Sequence, residues 1–241
     1  MNQSMSAERY QRIRHLLKMR QPDLTVCMEE VTKPHNVSAV IRTCDAVGVH
    51  KVHAVWDESE NLRKCTAMGS HVWVKTQLHK TMHDAVGCFK EQGMQVLVTH
   101  LDEQASDFRE IDYTKPTVVL LGQEKTGATA DAIALADHSI IVPMVGMVQS
   151  LNVSVAAAIV MYEAQRQRQA AGMYEAQSLD EVECQEILFK GGFPFLFKEC
   201  KRRNLAFPYI DEKGNIQADE AWWNALQFSK EHLKSDYGTV S

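Results

Sequence analysis

The chain has 241 residues, with 26 lysines and arginines against 31 acids, a formal charge of -5 and a sequence pI near 6.1. At 45% hydrophobic and 24% charged residues its composition is that of an ordinary globular protein, which excludes a disordered chain, a collagen and a disulfide-framed miniprotein. The net charge taken alone speaks against a generic nucleic-acid binder, and no run approaches the roughly 18 apolar residues needed to cross a bilayer.

From Ser4 to Arg20 the apolar residues Tyr10, Ile13, Leu16 and Leu17 recur at helical spacing, with Arg9, Arg12, Arg14, Lys18 and Arg20 largely off that stripe. These first twenty residues hold five bases and one acid, a local charge of +4, so the remaining residues are more acidic than the total suggests. Pro22 ends the element, and Leu24 to Met28 reads as a buried strand. Asn36 then reads as the N-cap of a helix whose apolar positions are Val37, Val40, Ile41 and Cys44 and which stops near Gly48.

A strand is expected from Lys51 to Trp56, a helix from Met82 to Gln92 stopped by Gly93, and strands over Gln95 to His100 and Thr117 to Gly122. Residues 130 to 136 read as helix, Ser139 to Met144 as strand, and a long helix runs from about Val153 past Arg168. Such alternation predicts an α/β fold: a mostly parallel sheet with helices on both faces, its ligand beyond the carboxyl ends of the strands. From Leu179 the pattern changes. Helical stretches around 180 to 190 and 218 to 234 flank the basic segment Lys198 to Asn204, and no strand of comparable length follows. The expected organisation is a basic N-terminal helix over 1–20, a central domain over 21–171 and a helical extension over 172–241.

Several familiar site signatures fail. The six cysteines, Cys27, Cys44, Cys65, Cys88, Cys184 and Cys200, form no C-x-x-C pair and read as reduced thiols of a cytosolic protein. The N-terminus is basic and polar where a secretory signal needs an apolar core, so a cytoplasmic location is expected. His79 and His83 lack the glutamate of H-E-x-x-H and read as solvated histidines of a helix face, so no metal is expected. Gly122 and Gly127 have P-loop spacing, but Ala128 stands where lysine is required, and no G-x-G-x-x-G occurs. Lys125-Thr126-Gly127 matches one element of the penicillin-recognising serine enzymes, but the accompanying S-x-x-K is missing.

Three polar-rich segments remain: His35 to Gly48, Leu121 to Thr129 and Ile141 to Ala158. The bland reading of the third is helix capping by Ser150 or Asn152. Together, however, the segments contain N-x-x-x-x-x-R, G-x-E-x-x-G and P-x-x-G-x-x-x-S-L-N-V-S-x-A, in that order. In this the chain resembles the SpoU (TrmH-type) branch of the SPOUT methyltransferases over roughly residues 20 to 170. Its basic N-terminal helix and C-terminal extension further resemble the subgroup that methylates the ribose 2'-hydroxyl of guanosine 18 in the tRNA D-loop.

The resemblance implies a C-terminal trefoil knot in the α/β domain, a homodimer, and S-adenosylmethionine held by backbone groups near Thr99, Gly122, Val142 and Leu151. It implies Arg42 as the catalytic arginine, with Asn36, Glu124, Ser150 and Asn152 completing the site. The family proposal of a general base sits badly with a guanidinium whose pKa exceeds about 12; bidentate binding of a substrate phosphate is the role its chemistry favours. Six residues separate Asn36 from Arg42, so a regular helix does not place them on one face. Candidate tRNA contacts are Arg9, Arg12, Arg14, Arg20, Arg166, Arg168, Lys198, Lys201, Arg202 and Arg203, against the bland reading of solvated helix faces. Tyr10 and Phe207 read as core residues, with base stacking as the alternative. The competing functions are the same methylation on ribosomal RNA or another tRNA position, and a non-catalytic RNA-binding module. An NAD-linked oxidoreductase lacks its fingerprint.

Overall fold

A computed structural model of the chain describes residues 4–56, 73–102 and 104–226. It divides into two compact units, one of residues 16–179 and one that joins residues 1–15 to residues 180–241.

Among the described residues the larger unit has seven strands: β1 (Leu24–Glu29), β2 (Lys51–Val55), β3 (Lys75–His79), β4 (Gln95–Thr99), β5 (Ser106–Asp107), β6 (Thr117–Leu121) and β7 (His138–Ile141). Their order is β3-β2-β1-β6-β4-β7-β5, and every pairing is parallel. The runs LTVCME and TVVLL are buried along their whole length because both sheet faces are covered. On one face α2 (Pro34–Ala46) and α5 (Val153–Ala170) lay Val37, Val40, Ile41 and Cys44, and Ala157, Val160, Met161 and Ala164, into one core. On the other, α3 (Met82–Glu91) and α4 (Ala130–Leu135) contribute Met82, Ala85, Val86, Phe89 and Ala132 to a second. β6 lies between β1 and β4, both laid down earlier in the chain, so the carboxyl ends of β4, β6 and β7 stand side by side.

Three sequence expectations need correction. The helix α2 begins at Pro34, whose fixed φ suits the first helical position; its N-cap is Lys33, and Asn36 lies inside the helix, 2% exposed. His79 belongs to strand β3 and faces His53, Nδ1 to Nε2 2.8 Å, so it is no solvated helix residue. The strand KTQLH is hard to see in a sequence because it borders the sheet and alternates little. The strand expected to reach Met144 ends at Ile141, two residues before Pro143. Cys65 and residues 227 to 234 lie outside the described residues.

The second unit contains most of α1 (Ala7–Lys18) together with α6 (Glu181–Gly192), α7 (Pro194–Arg203), a two-residue antiparallel pair of β8 (Tyr209–Ile210) with β9 (Ile216–Gln217), and α8 (Glu220–Ala225). Its core mixes Ile13, Ile187, Leu188, Leu196 and Ile210 with the aromatic rings of Phe189, Phe193 and Phe197. Tyr10 is 7% exposed and takes the core role, while Phe207 is half-buried, stacked on Phe197 at 4.8 Å and 5.6 Å from Phe189. Among the described residues no helix is long and apolar enough to cross a membrane.

Candidate active site

A cavity of about 580 Å³ opens beyond the carboxyl ends of β4, β6 and β7, the position at which a parallel sheet with this order offers free backbone groups. Thr99, Gly122, Val142 and Leu151 all line it, as do Glu124, Ser150 and Asn152. Thr99 ends β4 and donates its hydroxyl to the Leu120 carbonyl at 3.1 Å. At Gly122 a Cβ would stand 2.2 Å from the Ala128 nitrogen and 2.4 Å from the Gly127 carbonyl oxygen, so the chain folds back over this position only because it is glycine. The fold-back is closed by paired backbone bonds between Gln123 and Gly127, both 3.0 Å, with Gly127 at φ 72°.

Asn152 caps α5, accepting the Ser154 backbone N–H at 2.9 Å and its hydroxyl at 2.6 Å. Its own amide donates to Asn36 Oδ1 at 3.2 Å, and Asn36 Nδ2 donates to Glu124 Oε1 at 2.7 Å. One residue from each polar segment therefore enters a single hydrogen-bonded chain. Burial raises the Glu124 carboxyl, but the Asn36 amide, backbone N–H groups and the Lys33 ammonium outweigh it and hold the group below the usual glutamate range. It is an anion at neutral pH.

Arg42 lies outside this network. It is exposed on α2, does not line the cavity, and makes no hydrogen bond or ion pair with the described residues. Ser150 is exposed at the cavity wall. Sequence reasoning missed Lys33, which lines the cavity next to the P-H-N triplet, and Gln123, which follows the essential glycine.

The ten basic candidates separate by burial. Arg20 is 1% exposed, bonded to Asp45 at 2.6 Å and to the Val49 carbonyl at 2.8 Å. Arg168 is fully buried, bonded to Asp23 at 2.5 Å, Gln21 at 3.0 Å and the Tyr113 and Lys115 carbonyls. Both tie the domain together, and as binders of RNA phosphate they are corrected. Arg9 donates to the Gly191 carbonyl and Arg14 pairs with Glu181. Arg166, Arg202 and Arg203 pair with glutamates on their own helices. Arg12 and Lys198 are exposed, and Lys201 is exposed with its ammonium 4.9 Å from the centre of the Phe197 ring.

Comparison with known proteins agrees with this geometry. The model of the SpoU rRNA Methylase family matches residues 23–162, and that described as SpoU, rRNA methylase, C-terminal, matches residues 166–219. The chain is 59% identical over 226 residues to the tRNA (guanosine(18)-2'-O)-methyltransferase of Escherichia coli, across 92% of this chain and 99% of that one. It resembles the crystal structure of the A. aeolicus TrmH/SpoU tRNA modifying enzyme with a TM-score of 0.70 and 43% identity, covering 78% of this chain and 96% of the other. The SpoU methyltransferase AviRb from Streptomyces viridochromogenes, in complex with the cofactor AdoMet, gives a TM-score of 0.55 and 25% identity over 62% of this chain and 60% of its own.

Proposed function

Since the chain belongs to the SpoU rRNA methylase family, we propose that it methylates the ribose 2'-hydroxyl of guanosine 18 in tRNA, with S-adenosylmethionine as the methyl donor. The observation that carries this reading is the Asn152–Asn36–Glu124 chain, which joins all three family segments by hydrogen bonds, with Glu124 and Asn152 in the wall of one cavity.

The cavity suits the donor. Its volume of about 580 Å³ lies within the range of small-molecule sites, and the glycine at position 122 lets the loop 122–129 fold back tightly to form its wall. Backbone groups at Thr99, Gly122, Val142 and Leu151 hold it, and no phosphate cradle is needed because it carries no phosphate. When bound, it supplies a methyl group on a positively charged sulfur, open to in-line attack by an oxygen.

The remaining chemistry belongs to the chain. Holding attacking oxygen and methyl in line supplies much of the acceleration in such a transfer. Arg42 is exposed and unpaired among the described residues, which leaves its planar guanidinium available for bidentate contact with a tRNA phosphate. It orients the ribose and stays charged throughout. Glu124 fixes the rotamers of the Asn36 and Asn152 amides, and Ser150 presents its hydroxyl at the cavity wall. Arg9, Arg12, Arg166, Lys198, Lys201 and Arg202, the exposed members of the candidate set, contact the tRNA backbone.

Residues 21–171 form the methyltransferase domain. We further read its C-terminal part as a trefoil knot, a reading supported by the entry of β6 between β1 and β4. A homodimer is supported by apolar side chains left in water just after β7 and on α5: Val145 is 108% exposed, Met147 99%, Val148 61% and Tyr162 53%. The protein works in the cytoplasm, where tRNA is matured. The test is transfer of labelled methyl from S-adenosylmethionine to bulk tRNA and to ribosomal RNA side by side; label confined to ribosomal RNA overturns the substrate assignment.

A further inference from the structure

β1 ends at Glu29, a second glutamate, Glu30, follows it, and both carboxylates reach the same loop. Glu29, 5% exposed, accepts the Thr129 hydroxyl at 2.7 Å and the Thr129 backbone N–H at 3.1 Å. Thr129 in turn caps α4. Glu30 accepts the side-chain amide of Gln123. In a regular strand neighbouring side chains point to opposite faces, so two adjacent carboxylates reach one loop only if the backbone turns between them. It does so here: Glu30 adopts φ 47°, a left-handed conformation that glycine takes freely and other residues take at a cost, while its N–H stays bonded to the Val55 carbonyl at 3.0 Å.

The loop so held, residues 122–129, supplies Gly122, Gln123 and Glu124 to the cavity wall. It is pinned at its entrance through Gln123 and at its exit through Thr129. Gln123 also accepts the Thr126 hydroxyl at 3.1 Å and pairs with Gly127, so the Glu30 bond reaches the whole fold-back. Neither glutamate lines the cavity.

We propose that Glu29 and Glu30 are positioning residues that clamp loop 122–129 at both ends, setting the wall of the donor cavity and the placement of Glu124 against Asn36. The inference rests on the methyltransferase reading for the identity of the ligand, and on the geometry alone for the clamp.

The test uses the full chain and three variants: Glu30→Gly, which suits the positive φ but removes the carboxylate; Gln123→Glu, which sets two carboxylates against each other; and the swap Glu30→Gln with Gln123→Glu, which restores an amide facing a carboxylate. Titration with S-adenosylmethionine is expected to show about tenfold weaker binding in each single variant and recovery in the swap, as for loss and return of one charge-assisted hydrogen bond. Amide exchange without ligand is expected to quicken over residues 122–129 in the single variants and to stay unchanged in β4 and β6. Single variants that bind and exchange like the wild type, or a swap as impaired as Gln123→Glu, overturn the clamp. A wild-type chain that binds no S-adenosylmethionine overturns the methyltransferase reading, while the exchange arm still decides the clamp.

Discussion

Asn36 Nδ2 donates to Glu124 Oε1 at 2.7 Å, joining the helix that follows β1 to the loop that follows β6 across 88 residues of sequence. Asn36 is 2% exposed, so the bond is made where water competes poorly, and it keeps Glu124 an anion at the mouth of the cavity.

Replacing Asn36 by alanine leaves the Asn152 amide and the Glu124 carboxylate without their shared partner. A loss of about 0.5–1.5 kcal/mol in unfolding free energy is expected, the usual net worth of a hydrogen bond whose remaining partners can turn to water, and denaturant titration measures it. Because the Asn36 amide lowers the Glu124 pKa, the acid limb of the pH–rate profile moves to higher pH in the variant. An unmoved limb contradicts a catalytic-site role for Glu124 in its ionised form.

Arg42 gives the opposite signature. Its exposed side chain makes no hydrogen bond or ion pair with a described residue, so both Arg42→Ala and Arg42→Lys should unfold like the wild type. Turnover is expected to fall by about 10²-fold or more in both, since lysine offers a point charge where bidentate orientation is needed. Near-normal turnover of the lysine variant rules out the bidentate role.

The basic side chains divide into two classes by experiment as they do by burial. Arg168→Ala empties a fully buried position and strands Gln21 and the Tyr113 carbonyl, and is expected to cost about 2–5 kcal/mol of stability, as large-to-small changes in a core do. Lys198→Ala and Arg12→Ala, at exposed positions, are expected to change stability by no more than about 0.5 kcal/mol. They weaken tRNA binding and each lower the salt dependence of that binding by about one ion. A salt slope unchanged in these variants contradicts their contact with phosphate.

The histidine pair predicts an acid-sensitive sheet edge. Burial, the neighbouring His79 and Lys51 push His53 down to about 3, and burial also lowers His79 against the opposing pull of Asp84. The unfolded chain therefore takes up protons below about pH 6.5 that the folded chain refuses, so stability is full above that pH and falls as pH drops toward about 3. The slope per histidine approaches about 1.4 kcal/mol per pH unit. Unfolding measured across this window should be flatter by close to one proton in His53→Leu; an equal slope rejects a neutral buried pair.

Legibility from sequence followed what each signal depends on. Leu24–Glu29 and Thr117–Leu121 were plain because burial on both faces demands continuous apolar runs. Lys75–His79 was hidden, since the last strand of a sheet needs no such run. Asn36 looks like a cap and sets the start of α2 three residues late, whereas Pro34 already fixes the helical φ. Arg168 looked like a surface charge; its partners lie as far as 147 residues away and leave no local trace. The site residues came with the family resemblance, and their joining does not follow from spacing, as Asn152 and Asn36 stand 116 residues apart. The Glu29 and Glu30 anchors are legible only in three dimensions.

The central claim is methylation of one ribose oxygen. The direct measurement compares two tRNA transcripts incubated with the protein and labelled S-adenosylmethionine, one unmodified and one carrying 2'-deoxyguanosine at position 18, followed by nuclease mapping of the label. Label at guanosine 18 of the first and none in the second is the predicted result; equal labelling of both, or label mapped to another nucleotide, contradicts it.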